Sequence, residues 1–262
     1  MTFWKTVWKE EFNGPDGPLD HSKWNIIVAG PNSGNDEKQH YTDHTDNVSI
    51  KDNKLEIKPQ HHGGRWTSAR LESKAAFHCP DRETFELKGV LKSGTAPPDK
   101  QSGIWPAFWV LGDSSRTHGV EWPECGEIDI FETARGLKWS CATAYSSNVV
   151  KGGTGTESAK VNYDRDDFHT WSLVIDRVPT RWQDEKISWE LDGKAWFHIT
   201  GDEIGDEKLW ANIAHKDIFV VLDVAVGSNF DGGTQPNGET ATGLGGGMQV
   251  KSLEARHTIP PP

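Results

Sequence analysis

The chain has 262 residues, of which 27 are glycine, 14 are proline and 13 are tryptophan. This composition suits many strands joined by tight turns, and it excludes membrane-spanning helices because no apolar stretch approaches their length. The net charge of -11 repels phosphate backbones and anionic lipids, so we expect neither nucleic acid nor a membrane as a partner.

Short β-rich runs bounded by turn residues follow one another along the chain. Their spacing favours antiparallel strands, and about a dozen of them predict an all-β sandwich or jelly roll. We expect a monomer with one domain over residues 1–262, since all-β folds of this size form single domains. The predicted strands are Trp24–Val28, Lys54–Lys58, Trp66–Ser73, Thr84–Lys92, Ile104–Leu111, Glu127–Thr133, Trp139–Ser146, Phe168–Asp176, Ile187–Leu191, Ala195–Ile199, Ile218–Val226 and Met248–Ala255.

Turn residues divide these strands. Asp192-Gly193, between two alternating runs, is a dipeptide preferred where a hairpin needs positive φ, and it predicts a β-hairpin. The segment Gly201–His215 is the one plausible short helix. Three segments rich in turn residues are predicted as loops, namely Pro31–Asn35, Lys151–Ser158 and Asp231–Gly247.

Neither the cysteines nor the start of the chain identifies the cellular compartment of the protein. Cys79, Cys125 and Cys141 allow at most one internal disulfide, for which Cys125 with Cys141 is an open possibility, and their spacing fits no zinc site. The opening MTFWKTVWKEEFNG lacks the apolar core of a signal peptide. Either a leader has been removed or the protein is not exported by that route.

Three acids stand close together in one predicted strand. Glu127 and Asp129 are two residues apart and share a face, while Ile128 between them points into the core. Glu132 has the opposite parity, so we predict a β-bulge near Ile130 or Phe131 that returns it to the face of the other two. Three acids on one face repel one another, and at least one should hold a proton near neutrality, as general acid catalysis requires.

An aromatic strand precedes the acids. Trp105, Ala107 and Trp109 alternate onto one face of Ile104–Leu111, which makes that face a candidate platform for stacking sugars. A solvated acidic strand and buried core tryptophans are the plainer interpretation of the two segments taken separately.

The two segments together resemble glycoside hydrolase family 16. Gly-Ile-Trp-Pro-Ala-Phe-Trp at 103–109 and Gly-Glu-Ile-Asp-Ile-Phe-Glu at 126–132 carry the resemblance. It implies a curved antiparallel β-sandwich, or jelly roll, with a concave glycan cleft, and it favours an extracellular location. Five further segments match in family order: Glu10–Gly14, Asn35–Tyr41, Ser68–Leu71, Phe168–Trp171 and Leu222–Gly227.

By this resemblance Glu127 is the nucleophile, Asp129 its electrostatic helper and Glu132 the general acid and base. The reaction then retains the anomeric configuration, needs no cofactor, and requires the carboxyls of Glu127 and Glu132 to lie roughly 5 to 5.5 Å apart. The residues implied to contact sugar are Asn35, Arg70, Trp105 and Trp109, to which we add Trp122.

Each sugar contact has a plainer alternative. The tryptophans can belong to the core, Asn35 can shape its Gly-rich loop, and Arg70 can be paired with Glu72. The residue inserted between Asp129 and Glu132 is typical of the laminarinase branch, which implies an endo-β-1,3-glucanase and leaves mixed β-1,3-1,4-glucan open as a second substrate. Agar- and carrageenan-cleaving relatives share the insertion, but an acidic chain with Arg70 as its expected cleft arginine favours an uncharged β-glucan.

The chain departs from the family pattern at three positions. Tyr145 stands where many relatives have His and either substitutes for it or fills space, and Asp223 replaces the usual Asn. Lys251 replaces an Asp that helps to bind a structural calcium in relatives. Because an ammonium group cannot ligate a hard cation, we predict no such calcium and no other metal site.

Two other functions remain open. A glucan-binding protein on the same fold would keep the cleft without the chemistry, although the intact acids argue against it. A transglycosylase would form the same covalent intermediate and pass the sugar to an acceptor glycan instead of water.

Overall fold

The structure is a computed structural model that describes residues 3–32, 35–146 and 156–259. Within these ranges nearly half of the chain lies in strands, which are joined by turns, loops and a few short helices. The strands are β1 Phe3–Glu10, β2 Trp24–Ile26, β3 Gln39–Tyr41, β4 Val48–Ile50, β5 Leu55–Ile57, β6 Gln60–His62, β7 Arg65–Ser68, β8 Arg70–Ser73, β9 Thr84–Ser93, β10 Ile104–Gly112, β11 Glu127–Glu132, β12 Trp139–Tyr145, β13 Thr156–Asn162, β14 His169–Asp176, β15 Lys186–Leu191, β16 Lys194–Thr200, β17 Ile218–Val226 and β18 Met248–Ile259.

Two large antiparallel sheets face each other as a sandwich, which confirms the predicted fold class. One sheet has the order β16-β15-β14-β9-β18-β5-β4, with β1 paired to β18. The other has the order β13-β12-β11-β10-β17-β8-β2 and is called the cleft sheet below. A small third sheet, β3-β7-β6, contains the parallel pair β3 and β7.

The core lies between the two large sheets. Inward-facing positions of β10, such as Phe108 and Val110, are fully buried, and so are Leu87 and Leu173 on the opposite sheet. The sheets approach each other closely at Gly89 of β9, where a Cβ atom would lie 2.9 Å from the Phe108 ring. Burial of this apolar surface contributes about 25 cal/mol per Å² and holds the cleft sheet in place.

The predicted strands are all present, and Ile218–Val226 keeps its predicted bounds as β17, while the others have shifted ends. The run Trp66–Ser73 divides at Ala69 into β7 and β8, which belong to different sheets. The sequence missed β3, β4 and β6, which are only three residues long, and also β1, whose mostly exposed residues lack a clear apolar alternation.

The predicted loops and hairpin have different outcomes. Asp192 and Gly193 have φ values of 52° and 77° and join β15 to β16, so the hairpin is confirmed. The loop predicted over Lys151–Ser158 is wrong at its end, because β13 begins at Thr156, while residues 151–155 lie outside the described ranges. The segment Asp231–Gly247 carries only single turns of 3-10 helix. Of the loop Pro31–Asn35, residues 33 and 34 lie outside the described ranges.

The single helix predicted over Gly201–His215 is two helices, α2 Gly201–Ile204 and α3 Glu207–Ala214, and the sequence also missed α1 Ser114–Thr117. Gly205 ends α2 in the left-handed region with φ 70°, and Asp206 then caps α3 through the backbone N–H of Leu209. None of the helices in the described ranges is long and apolar enough to cross a membrane. The three cysteines are buried and none is in a disulfide, so Cys125 and Cys141 are not bridged.

The predicted bulge is present in β11. Phe108 pairs with Phe131 and Trp109 with Asp129, so Ile130 is the extra residue. Two polar side chains satisfy backbone groups at the interrupted ladder. Trp189 of the facing sheet donates its indole N–H to the Asp129 carbonyl at 2.7 Å, and Ser140 Oγ accepts the Glu132 N–H at 3.2 Å. The bulge is therefore anchored by the neighbouring strand β12 and by the opposite sheet.

We expect Trp189→Phe to lower the free energy of unfolding by about 1–3 kcal/mol more than Trp24→Phe, measured by chemical denaturation. Both indoles are almost completely buried, but the Trp24 N–H has no partner among the described residues. The replacement at 189 alone leaves a buried carbonyl unsatisfied. Equal losses in the two variants would contradict a specific role for the bond to Asp129.

Candidate active site

A cleft of about 620 Å³ lies on the outer face of the cleft sheet. Side chains from β8, β17, β10, β11 and β12 form its floor and walls, together with residues that precede β3 and follow β17. The structure brings all of the predicted site residues into this one cleft. They are Asn35, Arg70, Trp105, Trp109, Trp122, Glu127, Asp129 and Glu132.

The three acids follow one another along β11 opposite β10. Glu132 pairs with Ala107, Asp129 with Trp109 and Glu127 with Leu111. The bulge restores the parity of Glu132, so all three carboxyls face the cleft while Ile128 and Ile130 are buried. Glu127 is the most accessible of the three, since Asp129 and Glu132 are only 6% and 5% exposed.

Glu132 is a buried carboxyl held by two donors. Trp105 donates its indole N–H to Glu132 Oε2 at 3.0 Å, and the Thr143 hydroxyl lies 3.5 Å from Oε1. Burial raises the pKa of Glu132 to about 8, which the Trp105 hydrogen bond opposes and the nearby Glu127 charge reinforces. Glu132 is therefore protonated at neutral pH and can act as an acid.

The other two acids also have raised pKa values. Burial raises the pKa of Glu127 to about 7, and the positive charge of Arg70 and a hydrogen bond from Trp122 oppose this rise. Burial, followed by the charges of Glu127 and Glu132, raises the pKa of Asp129 well above its usual range. Glu127 thus ionises most readily of the three. A protonated carboxyl beside one that can ionise is the pairing that acid-assisted nucleophilic chemistry needs.

Trp122 and Tyr145 form one wall beside Glu127. Their rings lie 5.6 Å apart with a tilt of 54°, and Trp122 is 51% exposed. Tyr145 pairs with Glu127 across β11 and β12, and burial followed by the charge of Asp129 raises the pKa of its hydroxyl. Tyr145 therefore lines the cleft at the position where the sequence departs from the family pattern.

Arg70 combines the two alternatives left open by the sequence. Its guanidinium donates to Glu72 Oε1 at 3.1 and 2.9 Å, and it also lies 4.8 Å from the centre of the Trp109 ring in the cleft. The pairing with Glu72 neutralises much of its charge. Arg70 is thus a weak site for a sulfate or carboxylate ligand.

Asn35 likewise has both a structural and a cleft-facing position. Its side-chain amide donates to Glu37 at 3.1 Å, and its carbonyl accepts the Asn229 N–H at 2.9 Å. Burial raises the pKa of Glu37, which the nearby charge of Asp223 reinforces. This network ties the segment before β3 to the loop after β17 at the edge of the cleft.

Among the cleft-lining residues that the sequence did not identify as site residues are Tyr41, Asp223 and Phe230. Tyr41 comes from the small sheet, and Phe230 follows β17 and stacks on Trp105 with ring centres 5.0 Å apart and an angle of 11°. Strand alternation carries no signal for a residue that reaches the site from a loop or another sheet. Asp223 carried one signal, its departure from the family's usual Asn.

The described ranges contain no group of three His, Cys, Asp or Glu side chains arranged to hold a metal ion. Lys251 points its ammonium group at the Phe168 ring, 4.0 Å from the ring centre. The absence of the structural calcium of relatives stays a prediction, based on the chemistry of this lysine.

Comparison with known proteins identifies similar chains. A family model described as "XgeA-like, catalytic GH16 domain" matches residues 28–170. The chain is 30% identical to a beta-glucanase of Rhodothermus marinus over 87% of this chain and 78% of that protein. It is 29% identical to glucan endo-1,3-beta-glucosidase A1 of Niallia circulans over 93% of this chain, which spans only 36% of that protein.

A solved structure shares the architecture as well. The endo-1,3-beta-glucanase from Streptomyces sioyaensis superposes with a TM-score of 0.88 at 27% identity, covering 98% of this chain and 97% of that one. The sandwich with its cleft sheet is therefore similar, over 98% of this chain, to the fold of a protein described as an endo-1,3-beta-glucanase.

The raised pKa of Glu132 predicts that the free energy of unfolding of the protein decreases as pH rises. Its carboxyl binds a proton more tightly in the fold, with a pKa of about 8 against the ordinary 4.5, so the fold loses stability as pH rises through this interval. We expect Glu132→Gln to stabilise the protein more, relative to the parent, at about pH 8 than at about pH 4. Denaturation at both pH values measures this difference. Glu124→Gln, at an exposed acid just before β11, is the control, and a pH-independent difference for Glu132→Gln would contradict the prediction.

Proposed function

We propose that this chain, which belongs to glycoside hydrolase family 16, is an endo-acting enzyme that hydrolyses β-1,3-glucan. Mixed β-1,3-1,4-glucan is a second substrate in this proposal. The observation that carries it is the placement of Glu127 and Glu132 on one face of a bulged strand, inside a cleft lined by Trp105, Trp109 and Trp122.

In the proposed reaction Glu132 protonates the glycosidic oxygen of the leaving chain while Glu127 attacks the anomeric carbon. A covalent glycosyl ester of Glu127 forms as the glycosidic bond breaks. Glu132, now ionised, takes a proton from a water molecule, whose oxygen attacks the anomeric carbon and releases Glu127. The hydrogen bond from Trp105 orients the Glu132 carboxyl. Burial and the charges of the two glutamates raise the pKa of Asp129, so Asp129 stays protonated between them and adds no third negative charge.

The properties of the cleft favour an uncharged glucan. Its tryptophan rings suit stacking on the apolar faces of sugars, and its one arginine, Arg70, is already paired with Glu72. The cleft is also rich in carboxyls, in a chain of net charge -11, which disfavours sulfated galactans. The similar proteins named above are called beta-glucanase and endo-1,3-beta-glucanase, which agrees with this choice.

Reducing-end release from laminarin, lichenan and agarose tests the substrate. We expect release from laminarin and lichenan, and a loss of at least about a thousandfold in kcat for both Glu127→Ala and Glu132→Ala, since each removes an essential group. Glu121→Ala, at an exposed acid outside the cleft lining, is the matched control and should retain activity. Activity on agarose alone would overturn the substrate. No release by the folded parent would favour a glucan-binding protein.

Azide separates the roles of the two glutamates with an aryl β-glucoside that carries a good leaving group. In Glu132→Ala the glycosyl ester still forms, and azide replaces water to give a β-glycosyl azide. In Glu127→Ala azide occupies the vacated side and attacks from the opposite face, so an α-glycosyl azide results. The reverse stereochemistry would exchange the two assignments.

Retention is tested by following the first product of laminarin hydrolysis by ¹H NMR. We expect the β-anomer to appear first and then mutarotate, because two displacements at the anomeric carbon restore its configuration. Initial formation of the α-anomer would show inversion and contradict the proposed role of Glu127. Product lengths at low and high acceptor concentration distinguish hydrolysis from transglycosylation.

A further inference from the structure

A fourth carboxyl faces the same cleft without belonging to the E-x-D-x-x-E pattern. Asp223 lies in β17 and is 7% exposed. It pairs with Arg70 of β8 on one side and with Ala107 of β10 on the other, and Ala107 pairs in turn with Glu132. Asp223 and Glu132 therefore stand in one cross-strand row, two strands apart.

Both oxygens of Asp223 accept hydrogen bonds. The Trp109 indole N–H lies 2.7 Å from Oδ1, and the Tyr41 hydroxyl lies 2.9 Å from Oδ2. The arrangement repeats that of Trp105 with Glu132 at 3.0 Å. Each of the two cleft tryptophans of β10 is thus oriented by a carboxyl on a neighbouring strand, one of which is a proposed catalytic group and one of which is not.

Only the small residue Ala107 of β10 lies between Asp223 and Glu132 in the cross-strand row. Ala107 contributes only a methyl group between Asp223 and Glu132, and neighbouring strands lie about 4.8 Å apart, so the two backbones are about 10 Å apart. In a partly buried cleft, a charge at this distance is weakly screened. An ionised Asp223 therefore opposes ionisation of the glutamates.

Several other charged and titratable groups surround Asp223. Arg70 pairs with it across β8 and β17, and Tyr41 donates its hydroxyl to it. Burial raises the pKa of Asp223, and the positive charge of Arg70 partly offsets this rise. The groups that face this region from every adjoining element are Glu37 and Tyr41 near β3, Arg70 and Glu72 on β8, Glu127, Asp129 and Glu132 on β11, and Cys141 and Tyr145 on β12.

We propose that Asp223 is a positioning residue, which fixes the Trp109 ring through its indole N–H and acts electrostatically on Glu132 and Glu127 across Ala107. This inference rests on the proposed glucanase function, because it assigns Trp109 to sugar binding and the glutamates to catalysis. A carboxylate suits both tasks, since it accepts from Trp109 and Tyr41 together and also carries charge. An asparagine, the usual residue of the family here, keeps the shape and lacks the charge.

The direction of the electrostatic effect follows from the sign of the charge. The pKa of Glu132 is raised chiefly by burial, and the charges of Glu127 and Asp223 add to this rise. Asp223 also adds to the burial-driven rise in the pKa of Glu127. Replacing Asp223 by asparagine should lower both pKa values, so both limbs of the kcat/KM profile should move to lower pH.

The test compares the pH profiles of the parent, Asp223→Asn and Glu86→Gln on laminarin. Glu86 is also 7% exposed but lies in β9 on the other large sheet, so it matches the loss of one buried carboxylate. We expect the ratio of kcat/KM at about pH 8 to that at about pH 6 to fall several-fold in Asp223→Asn and to stay unchanged in Glu86→Gln. If Asp223→Asn lowers activity but leaves both limbs of its kcat/KM profile at the pH values of the parent, Asp223 has only a structural role. This result would overturn the inference.

Asp223→Ala tests the positioning of Trp109 separately. It removes the acceptor altogether, so we expect KM to rise about tenfold with a smaller change in kcat, and the KM of Asp223→Asn to stay near that of the parent. The indole N–H resonance of Trp109, assigned with Trp109→Phe, should move in Asp223→Ala. An unmoved resonance would overturn the positioning role.

A readout without substrate distinguishes failure of this inference from failure of the proposed function. The Glu132 carboxyl can be titrated by ¹³C NMR in the parent and in Asp223→Asn, with Glu132→Gln giving the assignment. A lower pKa in the variant supports the electrostatic role even if the parent cleaves no glucan, which would refute the function alone. Equal pKa values would refute the inference even if the parent is a glucanase.

Discussion

The bulge at Ile130 is the constraint on which the site depends. Without it, Glu132 would point into the core and only Glu127 and Asp129 would share the cleft face. A bulge leaves backbone groups outside the ladder, and an unsatisfied buried group costs about 1–3 kcal/mol. Here the Trp189 indole and the Ser140 hydroxyl satisfy those groups. The spacing of the proposed catalytic acids is therefore fixed by a contact between the two sheets as much as by β11 itself.

The cleft concentrates carboxyls at a cost in stability. Burial and mutual repulsion raise the pKa values of Glu127, Asp129 and Glu132, so ionising them opposes folding. The apolar core behind the cleft sheet offsets this cost, because the strands that carry the acids also carry fully buried side chains such as Phe108 and Phe131. The same burial and repulsion keep Glu132 protonated at neutral pH, so the cost in stability and the proposed role of Glu132 as an acid have one cause.

Hydrogen bonds from two tryptophans connect the proposed sugar-stacking rings of this cleft to its carboxyl groups. Trp105 and Trp109 each present a ring to the cleft and donate an indole N–H to a carboxyl, Glu132 in one case and Asp223 in the other. Movement of either ring would therefore disturb a carboxyl. Ala107, which lies between the two tryptophans along β10, contributes only a methyl group to the cleft lining.

The sequence alone determined the strand pattern, the three acids, the bulge and the tryptophan face, because these follow from alternation within single strands and from a motif of local spacing. The split of Gly201–His215 into two helices, the strand at Thr156 and the very short strands were missed, since tertiary contacts outweigh weak local preferences there. Only the tertiary structure placed Tyr41, Asp223 and Phe230 in the cleft and joined Trp189 to the bulge. Such contacts join residues up to 182 positions apart, as between Tyr41 and Asp223, and no local pattern encodes which distant strands become neighbours.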